Sequence, residues 1–254
     1  MLKISLIPIL EDNYSYIISD LKSEVTACVD PGSSEEIEGF LKKNNLKLDY
    51  ILSTHHHFDH VDGNLSLKKK FNCKIVGNYH DRDRIPGIDI TLKDSESFSI
   101  GEHKLIVMET PGHTIGHICY YLNDISTLFS GDTLFSLGCG RLFEGSCKQM
   151  VQSILKIRSL PGKTKVYCGH EYTESNARFA LHLNSEDMEL KKKIEQIKKK
   201  RDNLQPTIPT TISKEVELNP FMKFDDLDYL NSIGLENVSN EENFRKIRKM
   251  KDEF

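Results

Sequence analysis

Four short apolar runs in this chain each lead into a loop rich in histidine or aspartate. Tyr50–Thr54 runs into His55-His56-His57-Phe58-Asp59-His60. Lys104–Glu109 runs into Thr110-Pro111-Gly112-His113-Thr114, and Thr127–Phe129 into Ser130-Gly131-Asp132-Thr133. Lys165–Cys168 runs into Gly169-His170-Glu171-Tyr172. Short apolar runs bounded by turn residues read as strands. Sites in α/β proteins gather at strand ends, where loops from different strands reach a shared pocket. Residues two apart in extended chain point the same way, so His55 and His57 can converge on one ion. As the chain turns into a helix, Asp59 and His60 can be aimed at a second ion. Imidazole and carboxylate are ligands that borderline divalent metals accept. His55, His57, Asp59, His60, His113, Asp132 and His170 are too many ligands for one metal and suit two, with Asp132 able to bridge. His56 is expected to point away by alternation, and His117 to pack beside the site. His80, His103 and His182 have no metal-like context.

The remaining strands are read at Ile4–Ile9, Ile17–Ile18, Thr26–Val29, Lys74–Val76 and Ile118–Leu122. Ser33 and Glu36 form a capping-box pattern ahead of Ile37, Phe40 and Leu41. Further helices are expected from near Asp59 to Phe71, and over Lys148–Arg158, where Met150, Val151, Ile154 and Leu155 share a face. This mixture suggests layers, with helices covering sheets. After about residue 173 the texture turns helical. Leu190, Ile194, Ile197 and Leu204 form one stripe, Pro206 and Pro209 mark an extended connector, and helices follow near Asp225–Ile233 and Glu241–Lys251.

With 254 residues, 38% hydrophobic and 28% charged, the chain is long enough for one large domain or one domain plus a small partner. A net charge of -4 gives no overall basic field for nucleic acid. The lysines at 191–193 and 198–200 read as a solvated helix face rather than a binding stripe. No apolar run spans a bilayer, and no N-terminal address is visible, so a cytoplasmic protein is expected. The terminal Lys-Asp-Glu-Phe is read as an accidental likeness to a retention tail. Six scattered cysteines without a CxxC pair read as reduced, and Cys168 as core.

These motifs carry a specific resemblance. With Asp30-Pro31-Gly32 and the extension Leu134-Phe135, the chain resembles the metallo-β-lactamase superfamily. Within it, Cys139-Gly140-Arg141, Asn219-Pro220-Phe221-Met222, Arg248 and Lys251 resemble the glyoxalase II (hydroxyacylglutathione hydrolase) family. The resemblance covers nearly the whole chain. It implies an α+β fold: a four-layer αββα sandwich over residues 1–173, then a C-terminal helical substrate-binding domain over 174–254. It implies two divalent metal ions, zinc first and iron or manganese as alternatives. One would take His55, His57 and His113, the other Asp59, His60 and His170, with Asp132 between them. Asp59 and Asp132 would be the catalytic carboxylates, Asp59 also orienting the hydroxide. Arg141, Tyr172, Arg248 and Lys251 would contact glutathione. Phe143 stands where some relatives carry tyrosine, so a hydroxyl contact is absent or replaced.

The activity so implied is hydrolysis of S-D-lactoylglutathione, or a related 2-hydroxyacyl thioester, by hydroxide generated at the metals. The products would be glutathione and D-lactate, the second step of methylglyoxal detoxification. The expected partner is a small glutathione thioester, with no nucleic acid, no membrane and a monomeric chain. A persulfide dioxygenase of the same superfamily is the first rival, because a two-His-one-carboxylate set can be cut from these ligands. A nuclease using the lysine-rich helix and a non-catalytic metal-binding scaffold are the others.

Overall fold

The structure is a computed structural model describing residues 1–254. The first sheet is formed by β1 (Leu2–Ile9), β2 (Asn13–Asp20), β3 (Val25–Val29), β4 (Tyr50–Leu52), β5 (Lys74–Asn78) and β6 (Ile90–Leu92), neighbours in that order. β1, β2 and β3 are antiparallel, whereas β3 to β6 run parallel. Parallel neighbours require crossovers, and α1 (Ser34–Lys43), α2 (Phe58–Val61) and α3 (Asn64–Phe71) lie in them. The second sheet begins with β7 (Ser97–Ile100), β8 (His103–Glu109), β9 (Ile118–Leu122) and β10 (Thr127–Gly131). A small hairpin, β11 (Leu134–Phe135) and β12 (Gly138–Cys139), follows. After α4 (Cys147–Arg158) the chain returns to the second sheet as β13 (Lys165–Cys168), parallel to β10. The rest is helical, α5 (Thr173–Leu183) to α9 (Asn240–Glu253), apart from β14 (Thr210–Thr211) on the outer edge of β13.

Alternation along the strands explains the layers. Ile18, Phe129 and Tyr120 face a core between the sheets, together with Tyr16, Leu52 and Val107. Their sequence neighbours point the other way. Ile17 packs under Ile37, Leu41 and Leu67 of α1 and α3. Leu128, Cys119 and Tyr121 pack under Met150 and Ile154 of α4. Both faces of each sheet are thus covered, which is why the strands read as continuous apolar runs. The order is helix, sheet, sheet, helix, the four-layer sandwich that the resemblance implied. The cluster over the second sheet continues into Phe221, Phe224, Phe244 and Ile247. The helices after residue 173 therefore share a core with α4. A smaller cluster of Ala177, Ala180, Leu190, Ile197 and Leu218 lies among α5, α6 (Met188–Asp202) and α7 (Ile212–Leu218).

Several expected elements differ. The helix read from Asp59 to Phe71 is two, α2 and α3, parted at Asp62–Gly63. A Cβ at Gly63 would sit 2.6 Å from the Pro31 carbonyl, which accepts the Gly63 N–H at 2.9 Å. That tertiary bond sets the break. Ser33 gives its hydroxyl to the Glu36 carboxylate, not its oxygen to the backbone, so the expected capping box does not form. The capping box in the structure is Ser146 with Gln149, at α4. Leu204 lies past the end of α6, with φ 55° and 88% of its surface exposed, and does not extend the apolar stripe. The sequence reading also passed over α5 and α7.

Candidate metal centre

The loops after β4, β8, β10 and β13 meet at one edge of the sandwich. Donor atoms of His55, His57 and His113 lie within 4.8 Å of one another, and so do those of Asp59, His60 and His170. A third triplet, His55, His60 and Asp132, joins the two. Asp132 spans them directly: Oδ2 lies 3.5 Å from His113 Nε2 and 3.3 Å from His170 Nε2, and Oδ1 lies 3.4 Å from His60 Nε2. Two glycines make this approach possible. Gly131 adopts φ 47°, where a Cβ would strike Thr54 Oγ1 and His117 Nε2. A Cβ at Gly169 would lie 2.4 Å from Asp132 Oδ1.

A further row of groups orients the rings. Asp30, at the end of β3, accepts the Thr54 N–H and hydroxyl, both at 2.7 Å, and His60 Nδ1 at 3.0 Å. The Thr54 hydroxyl hydrogen is thereby used, so His55 Nδ1 donates to Thr54 Oγ1 at 3.0 Å. His113 Nδ1 donates to the Arg141 carbonyl at 2.8 Å, and His170 Nδ1 to Asp12 at 2.9 Å. Asn13 donates to Asp59 Oδ2 at 2.9 Å. These bonds place an N–H on Nδ1 in His55, His60, His113 and His170, so each ring turns its Nε2 toward the cluster.

The ring nitrogens then face one another. His55 Nε2 lies 3.1 Å and His113 Nε2 3.0 Å from His57 Nδ1, and His60 Nε2 lies 3.3 Å from His170 Nε2. Burial and the neighbouring imidazoles hold His57 down to about 4 and His55 well below its ordinary value, which keeps both rings neutral. Asp132 Oδ1 is buried without a hydrogen-bond partner. Burial opposes its charge, but His170 and His60 hold the carboxyl well below its usual range. Against their burial, Asp132 in turn raises His60 and His170, so a proton there stands where a cation would sit. Imidazole nitrogens converging on a buried carboxylate are the donor set a divalent cation needs. The residues present fit two such ions.

His56 turns away to Asp81, at 3.2 Å. His117 accepts the Asp132 N–H at 3.0 Å and stacks on His55 with centroids 5.0 Å apart, a supporting place. Cys168 is buried in the core between the sheets, and its thiol donates to the His170 carbonyl.

Beside the cluster opens a cavity of about 910 Å³, lined by all five residues expected to touch substrate. Tyr172 stacks on His170, rings 4.6 Å apart and nearly parallel. Phe143 is exposed and edge-on to His57 and His113. Arg248 is buried, not free: Nη1 donates to the Cys139 carbonyl at 3.1 Å and Nη2 pairs with Asp252 at 2.9 Å. The sequence reading missed Ser175 and Arg178, one turn apart on α5, which line the same cavity. It also missed Glu215, and Asn219 it named only as part of a motif. The buried Glu215 carboxylate accepts the Leu137 N–H at 2.7 Å, and Asn219 donates to the Gly138 carbonyl at 3.0 Å. The C-terminal helices thus hold the hairpin leading to Arg141, whose carbonyl orients His113.

Fold and cluster together define a metallo-β-lactamase-fold protein. The model of the metallo-β-lactamase superfamily matches residues 12–170, and that of the hydroxyacylglutathione hydrolase C-terminus matches residues 171–254. The hydroxyacylglutathione hydrolase of Methylococcus capsulatus is 44% identical over 254 residues, 100% of this chain and 99% of that protein. That of Pelagibacter ubique is 42% identical over 253 residues, covering both chains fully. The chain belongs to the hydroxyacylglutathione hydrolase (glyoxalase II) family of that superfamily. Among solved structures, the B3 metallo-β-lactamase BLEG-1 is similar with TM-score 0.67 and 26% identity, over 87% of this chain and 99% of that one. ETHE1 from Myxococcus xanthus, at TM-score 0.68 and 21% identity over 98% and 96%, shares the fold. No helix is long and apolar enough to cross a membrane.

Proposed function

We propose that the protein hydrolyses S-D-lactoylglutathione, or a related 2-hydroxyacyl thioester, to glutathione and the free acid. The observation that carries the reading is the cavity, whose wall holds both members of the His/Asp cluster and Arg141, Arg178, Arg248 and Lys251. A glutathione thioester has a reactive carbonyl and two carboxylates, and needs both kinds of group. The C-terminal family match, covering the segment that supplies Arg248 and Lys251, favours this over the dioxygenase rival.

The proposed ligands are His55, His57 and His113 for one ion and Asp59, His60 and His170 for the other, with Asp132 shared. The all-nitrogen-and-oxygen set suits zinc, iron or manganese, and zinc is the ion we assign. When bound, such ions lower the pKa of a water toward about 7 and polarise a carbonyl oxygen. Asp59, steadied by Asn13, orients the attacking water. Tyr172 and Phe143 wall the cavity beside the two histidine groups. Attack at the carbonyl breaks the C–S bond, and the thiol, with an ordinary pKa of about 8.5, departs as thiolate without a strong general acid. Metal-loaded protein should release free thiol and D-lactate from S-D-lactoylglutathione, with little turnover of β-lactams or RNA. No thiol release, or faster turnover of either alternative, would refute the reading.

Lys251 adds a pH dependence. Burial, with Arg248, Arg178 and Arg141 nearby, pushes its ammonium down to about 8. Below that pH it is charged and attracts a substrate carboxylate; as pH rises through about 8 the charge is lost. The kcat/KM should therefore fall on the alkaline side by about tenfold, the worth of one charge-assisted hydrogen bond. Lys251→Arg should carry the plateau past pH 9. An unchanged profile in that variant would mean that Lys251 is not the titrating group.

A further inference from the structure

The cavity contains one carboxylate that the proposed hydrolysis does not use. Of its three acidic lining residues, Asp59 and Asp132 belong to the metal cluster, and the third is Asp252 on α9. Asp252 Oδ1 lies 2.9 Å from Arg248 Nη2 and 3.8 Å from Arg141 Nε. Its Oδ2 accepts no hydrogen bond within the protein, and its side chain is 45% exposed. Four cations line the same cavity: Arg141, Arg178, Arg248 and Lys251. For a ligand recognised by carboxylates alone, an acid among them would only compete. A ligand that also carries an ammonium gives it a use. The α-amino-acid end of a γ-glutamyl group is such a ligand: one ammonium and one carboxylate on the same carbon.

We propose that Asp252 receives the α-ammonium of the γ-glutamyl group through Oδ2, while Arg141 beside it receives the α-carboxylate. This rests on the glutathione-thioester reading and adds a selectivity to it. The neighbouring positions of the two residues support the pairing, because a zwitterion needs a cation and an anion side by side. Arg141 is 69% exposed and free to follow the ligand. Lys251, Arg248 and Arg178 remain for the glycyl carboxylate. Thioesters of thiols that lack an α-ammonium would be poorer substrates for this cavity.

The test compares S-D-lactoylglutathione with its des-amino analogue, in which a glutaryl group replaces γ-glutamyl. A second arm measures calorimetric binding of glutathione and of des-amino glutathione. Wild-type protein should prefer the amino form about two- to fivefold in kcat/KM and in Kd, the range for a partly exposed charge pair. Asp252→Asn should bring that ratio toward one by losing affinity for the amino form alone, and Asp252→Glu should restore part of it. An equal loss for both substrates would make Asp252 only a counter-ion of Arg248. Tighter glutathione binding by Asp252→Asn would make it a competitor. Either result overturns the proposal. Preferential binding of glutathione without thiol release would instead sink the hydrolase reading and leave the Asp252 assignment standing.

Discussion

Asp132→Ala should leave the protein with fewer than about two metal ions per chain and reduce kcat/KM by roughly three orders of magnitude or more, because a binuclear site loses its shared anion. Asp132 is the carboxylate that reaches both triplets, through Oδ2 to His113 and His170 and through Oδ1 to His60. Asp59, 3.5 Å from His60 Nε2 and 3.4 Å from His170 Nε2, belongs to one triplet only and cannot replace it. The substitution also removes the negative charge that compensates His60 and His170. Added zinc should raise the Tm of the wild-type protein by mass action and raise that of the variant much less. Elemental analysis after dialysis, with thermal scans with and without chelator, measures both effects. A full metal complement in Asp132→Ala, or full wild-type activity at one ion per chain, would overturn the binuclear site.

The clustered His and Asp residues proposed as ligands were legible because each lies a short way past a strand end. Their order along Thr54–His60, and the turn glycines near His113, Asp132 and His170, are local signals. The groups that orient them were not legible. Asp12 reaches His170 from 158 positions away, and Asp30 reaches His60 from 30 away. No spacing rule predicts such a meeting; it follows from β2 and β3 lying beside the loops that carry the rings. Asp30 was visible as part of a motif, but its work on Thr54 and His60 was not. The same limit applies to the helices. The amphipathic stripe of α4 was strong enough to be read, whereas the break between α2 and α3 depends on the Pro31 carbonyl. The overlooked α5 did carry a signal, with Ala177, Ala180 and Leu183 three apart and buried. Reading it would have placed Arg178 beside Ser175 on the face that lines the cavity.

Arg248→Ala is expected to do more than the sequence alone suggested. From the motif, Arg248 and Lys251 are two glutathione-binding cations on one helix face whose loss raises KM and leaves kcat and metal content nearly unchanged. In the structure they are not equivalent. Lys251 is half-buried and makes two long bonds to Ser175, at 3.3 and 3.4 Å. Arg248 is only 7% exposed, lies over the Phe221 ring at 4.9 Å and donates to the Cys139 carbonyl. Removing it leaves that carbonyl unpaired and opens a hole against Phe221. An unsatisfied buried acceptor costs about 1–3 kcal/mol. For a chain of this size each kcal/mol lowers Tm by about 2–4 °C, so a fall of several degrees should be measurable. Cys139 is also two residues from Arg141, whose carbonyl orients His113. Loosening this segment should lower kcat as well as raise KM, the latter by roughly ten- to a hundredfold for a lost carboxylate contact. Lys251→Ala should raise KM with kcat and Tm nearly unchanged, the sign of binding shared by ground and transition states. The two variants side by side separate the roles. If Arg248→Ala keeps the wild-type Tm and kcat while KM rises, the guanidinium only binds substrate and its burial against Cys139 has no structural weight. If both variants keep the wild-type KM at low salt, α9 does not hold the glutathione carboxylate at all.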